Sequence, residues 1–135
     1  MAESIQQLRI YTTARVLEDQ VYEFTKSLPT ELAYPLGNDL RRSSAAVSYH
    51  ISEAHRRYSY TLKLESLAAA RDAAEATQKL LEEARENGAE DSLISGYTAV
   101  IKQSWGLIKY LKNRRAERMV KEEIKAKDEL TSAHT

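Results

Sequence analysis

Leu93, Tyr97, Val100, Ser104, Leu107 and Leu111 follow one another at alternating steps of four and three residues. That spacing lays all six along one side of an α-helix, the periodicity of an amphipathic helix packed on a core. The same arithmetic holds in three earlier stretches. Ile10, Ala14, Leu17, Val21, Phe24 and Leu28 make one seam. Leu36, Leu40, Ser43, Val47, Ile51 and Ala54 make the next. Tyr60, Leu64, Leu67, Ala70, Ala74, Thr77, Leu81 and Ala84 make the third. Only helices carry such a pattern over so many turns, and four of them in 135 residues can bury their seams against one another.

The breaks between the seams are short and carry stop and start signals. Ser4 and Gln7 have the spacing of a capping box, which predicts a first helix from about Ile5 to Ser27. Pro29 ends it, because a proline pushes the preceding residue out of the helical region. Thr30 is placed to cap the next turn, and Pro35 suits a first helical turn, where the missing amide proton costs nothing. Ser59 is a candidate cap for the third helix. Asn87-Gly88 stops that helix, with glycine supplying a left-handed residue, and Asp91 or Ser92 opens the fourth. Short links favour antiparallel neighbours, so the prediction is an all-α, up-down-up-down four-helix bundle.

Composition agrees. Four glycines and two prolines are few for this length, and the abundant Ala, Leu, Glu, Lys and Arg are good helix formers. No cysteine is present, which removes disulfides and thiolate metal sites. Twenty basic residues balance twenty acidic ones, so no long-range positive field draws in nucleic acid from every direction. No apolar run approaches the ~20 residues of a membrane span. Met1 to Gln7 lacks the basic-then-apolar order of a secretory signal. The expectation is a cytoplasmic protein without a membrane partner. After Leu111 the apolar period weakens. The chain divides into a bundle over residues 1–118 and a charged C-terminal extension over 119–135, helical or frayed.

Several features bear on function. His50 and Glu53 are three apart and therefore neighbours on a helix, but a third metal ligand has no obvious source, and the other histidines are His55 and His134. No Glu-x-x-His occurs, which excludes the di-iron bundle pattern. No glycine-rich phosphate loop and no nucleophile triad occurs. The expectation is no enzyme, no metal and no cofactor. Arg41 and Arg42 precede a seam of small residues. A buried arginine needs a carboxylate, with Glu53 and Glu75 as the candidates, so this group is read as structural, fixing a helix or subunit boundary. Tyr11 and Trp105 suit half-buried interface positions. Ile5, Leu8 and Tyr11 lie off the first seam, and Ile94, Ile101, Trp105 and Ile108 make a second stripe on the fourth helix. Apolar surface beyond what one bundle can bury predicts self-association. Lys109, Lys112, Arg114, Arg115 and Arg118 form a basic block, a possible nucleic-acid contact.

Over roughly residues 8–112, and most clearly over 39–75, the chain resembles a known family, the small four-helix bundle proteins encoded by intervening sequences inside bacterial 23S ribosomal RNA genes. Leu40-Arg41-Arg42 matches the opening of that family's second helix, and Ile51, Ser52 and Glu53 fall at its Ile-Ala-Glu positions. Tyr11, the Lys26-Ser27-Leu28-Pro29 turn, Arg57, Ser59 and Glu75 also look similar. Ser48 stands at a proline position, His50 at an asparagine, Ala54 at a glycine, and Arg71-Asp72 replaces Gly-Ser, so a straighter second helix is expected here. The resemblance implies a ring, commonly of five subunits. A related branch is the accessory variability determinant of diversity-generating retroelements, which implies a reverse transcriptase and RNA or DNA as possible partners. The leading expectation is a non-enzymatic homo-oligomeric scaffold. The alternative is a nucleic-acid-binding accessory of a reverse transcriptase or of ribosomal RNA.

Overall fold

A computed structural model describes residues 2–133. Helix α1 (Ala2–Thr25) leads to a single turn, α2 (Thr30–Ala33), then α3 (Pro35–Arg56), α4 (Tyr60–Glu83), a 3-10 turn at Arg85–Asn87 and α5 (Asp91–Ala133). Each long helix runs antiparallel to the one before it. The third packs on the first and the fourth, and the fifth packs on the fourth and the first, which closes a four-cornered, up-down-up-down bundle. The interior forms two apolar clusters, a larger one around Ile10, Leu40, Ile51, Leu81 and Tyr97 and a smaller one around Leu67 and Leu107 towards the α3–α4 turn, all seven essentially without solvent contact. Each such side chain contributes roughly 1.5–3 kcal/mol.

The local signals act mostly as expected. Pro35 sits in the first turn of α3. Ser59 Oγ accepts the Leu62 amide proton at 3.1 Å, capping α4, and Gly88 takes φ +95° after the 3-10 turn. α3 is one uninterrupted helix through Ser48. Two expectations fail. Ser4 lies inside α1, so no capping box forms; Gln7 is buried and pairs with His55 on α3 instead. Thr30 does not cap α2, whose cap position is Pro29 and carries no side-chain bond.

α5 is the outlier in length. Its 43 residues span about 64 Å, whereas the 24 of α4 span about 36 Å. Leu111 is its last buried residue, and from Lys112 on all but Arg115 are exposed to residue 132. The helix is continuous to Ala133 rather than frayed. It projects past the end of the bundle that holds the start of α1 and the α3–α4 turn.

Candidate functional site

Glu53 is the most perturbed acid. From α3 its Oε1 accepts from His50 Nδ1 at 3.2 Å and from the buried Ser66 Oγ on α4 at 2.9 Å. Its Oε2 lies 3.3 Å from Arg57 Nη2. These donors, with the His50 and Ser66 bonds foremost, hold the carboxyl at about 2, well below its usual value. Nearby, Lys63 Nζ donates to the Ala54 carbonyl at 3.1 Å, so the end of α3 is tied to α4 twice over. This is a clamp across a turn. The His50–Glu53 pairing follows from sequence. Ser66 does not, since a bond thirteen residues away has no local spacing to signal it.

Arg41 and Arg42 do not meet their expected partners. Both are exposed, as is Glu75, and among the described residues no ion pair joins either arginine to Glu53 or Glu75. Arg41 Nε donates to Thr25 Oγ1 at 2.9 Å, and its guanidinium lies 5.0 Å from the centre of the Tyr22 ring. An arginine at the edge of the α1–α3 contact stays hydrated and needs no carboxylate. Arg41 still sits at a helix boundary, but through a hydroxyl and a ring.

Two apolar features lie on opposite edges of the bundle. On the α1–α3 edge, a largely apolar groove of about 330 Å³ is lined by Leu8, Tyr11, Ile51 and Ser52, with Gln7 and His55 at its end. Ile5 and Leu8 stand 57% and 67% exposed beside it. On the α4–α5 edge, Trp105 is 50% exposed and the Arg71 guanidinium covers one face of its ring, 4.3 Å from the centre. The expected second stripe of α5 is only partly outside. Ile94 and Ile108 are buried, because the α5 seam is wider than one residue per step.

The basic block has a defined place. Lys109 and Lys112 are exposed on α5 within the bundle's reach. The neighbouring Tyr60 hydroxyl raises the already high pKa of Arg114 further. Arg115 Nη1 reaches Thr61 Oγ1 at 3.4 Å, and Arg118 lines the same cleft. The steps of the core seam continue without interruption past Leu111, as Arg114, Arg118, Lys121 and Lys125. The stripe that is apolar inside the bundle turns cationic where the helix leaves it. His134 lies outside the described residues. Among the described residues, no three potential metal ligands converge, and no helix is long and apolar enough to cross a membrane.

Fold and surface together define an antiparallel four-helix bundle with unpartnered surfaces and a basic arm. The family model for the 23S rRNA-intervening sequence protein matches residues 6–95, which span α1 to the first turn of α5. The chain belongs to that family. No curated protein matches it. The arm beyond Leu111 lies wholly outside the matched region.

Proposed function

We propose that this is a non-enzymatic, homo-oligomeric bundle that serves as an interaction or scaffold protein in the cytoplasm. The observation that carries the reading is the pair of apolar features on opposite edges. An exposed groove on the α1–α3 edge and a tryptophan on the α4–α5 edge lie at similar heights in the lower half of the bundle. Different patches on different edges are what a head-to-tail contact between copies requires, and such contacts close into rings when the rotation allows. Trp105 of one copy would enter the groove of the next beside Leu8 and Tyr11. Five subunits is the number that the family resemblance favours.

Light scattering on a sizing column tests this. The expected mass is a closed multiple of the protomer, near five, and Leu8→Glu or Trp105→Glu should each reduce it to the monomer. A wild-type monomer across a wide concentration range overturns the reading.

A second reading, a nucleic-acid-binding accessory of a reverse transcriptase or ribosomal RNA, is favoured by the basic arm. The arm leaves the groove and Trp105 free, so the two readings are compatible.

A further inference from the structure

We propose that the α5 arm and the α3–α4 turn together bind single-stranded nucleic acid. The inference rests on the second reading above and specifies its ligand class.

The arm supplies the backbone contacts. Arg114, Arg118, Lys121 and Lys125 stand at steps of four, three and four residues, so one face presents cations about 6, 4.5 and 6 Å apart along the axis. Arg114 and Arg118 carry exposed partners, Glu117 at 3.4 Å and Glu122 at 3.3 Å. Exposed pairs of this kind are weak, so a phosphate can replace the carboxylate. On the turn, the exposed Arg56 adds charge at the same end of the molecule, while Arg57 is held by Glu53.

The turn supplies a stacking surface. Tyr58 is 100% exposed, between the arginines of the turn and the arm. It borders a cleft of about 390 Å³ whose other walls include Tyr60, Arg115 and Arg118. A tyrosine held out in solvent beside arginines offers its ring to an unstacked base and cations to the neighbouring phosphates, the combination that single strands use. A duplex hides its base faces. Its width would also bring its phosphates against Glu117 and Glu122, which flank the cationic stripe on either side. A single strand is narrow enough to follow the stripe, meeting only Glu122 at the cleft, where Arg118 already pairs with it.

The test is fluorescence anisotropy of the full chain with a labelled oligouridylate and with a duplex of the same length, across a salt series. The single strand should bind more tightly. Its log affinity should fall against log salt with a slope of roughly −3 for four cations. Arg118→Gln with Lys121→Gln should reduce that slope by about 1.4. Tyr58→Ala should weaken single-strand binding by about tenfold, the order of one lost base stack, and Tyr58→Phe should restore it. Tyr58 packs on nothing, so neither substitution endangers the fold. Equal binding of the duplex, or indifference to Tyr58→Ala, overturns the single-strand assignment while leaving the electrostatic reading intact. Failure of both probes to bind at low salt overturns both. A low-salt mass increase without nucleic acid, lost in the double glutamine variant, also overturns the proposal: the arm would then be meeting the acidic Glu82–Asp91 end of another copy.

Discussion

Removing the charge of Glu53 should cost stability in a manner that depends on pH. Its carboxyl takes two hydrogen bonds and an ion pair, and its pKa lies near 2 against a usual 4.5. The difference corresponds to a ceiling of about 3.4 kcal/mol favouring the folded state at neutral pH. The side chain is 20% exposed, so solvent screens part of that, and about 1–2 kcal/mol is the expected share. A depressed acid contributes fully above its unfolded value and loses the contribution as pH falls through its folded value. The window is therefore from about 4.5 down to about 2, and more than half of the contribution should be gone by about pH 3. Glu53→Gln keeps the shape and removes the titration. Urea unfolding followed by circular dichroism, at fixed protein concentration, should find wild type about 1–2 kcal/mol more stable than the variant near pH 7, with the gap closing towards pH 3. Glu53→Ala should cost more, about 2–3 kcal/mol, because the buried Ser66 hydroxyl loses its acceptor. A gap between wild type and Glu53→Gln that stays constant from neutral pH to about pH 3 would refute the clamp.

Among the described residues, Tyr97 carries the largest fully buried side chain, and its hydroxyl has no hydrogen-bond partner there. Burial, with the nearby Glu18 as a lesser influence, pushes its pKa upward. Tyr97→Phe should therefore raise stability by about 1 kcal/mol, read as a higher urea midpoint; a loss of similar size would mean that the hydroxyl is bonded after all. Ending the chain after Arg118 removes the part of the arm in which residues 119–132 are all exposed. The bundle's unfolding free energy should change by no more than about 0.5 kcal/mol, and a larger loss in urea titration would show that the arm packs on the body or on another copy.

The bundle was legible because its signals are local. Seams at steps of three and four, a serine cap at Ser59 and a left-handed Gly88 each depend on a few consecutive residues, and each stands where the sequence places it. Side-chain contacts were legible only within one helix, where spacing forces a partner. Glu53 and His50 meet because three residues is one helical turn. Ser66, Thr25 and the Arg71–Trp105 stack depend on how helices rotate against one another, and no spacing encodes that rotation. The error over Arg41 and Arg42 has the same origin. A carboxylate is obligatory only for a buried arginine, and burial at a helix edge is decided by tertiary packing.

The arm shows why helical period and burial must be read separately. From Leu93 to Lys125 the step pattern of α5 never changes, and one face of one helix runs through both the core and solvent. What changes at Arg114 is only the chemistry on that face. Packing supplies most helical stability in proteins, yet residues 116–132 of the arm are all exposed. The arm replaces packing with Arg114–Glu117 and Arg118–Glu122 pairs, each worth a few tenths of a kcal/mol. Such pairs make the helix soluble but do not require a stripe of four cations at seam positions, because the same number of charges scattered around the axis would pair equally well. Nor do they account for a tyrosine fully exposed where the stripe begins. A surface selected only for solubility would not keep the cations in register with the core and set an aromatic ring beside them. A ligand lying along that line uses both, and this favours a polyanion with exposed bases over simple hydration as the reason for the arm.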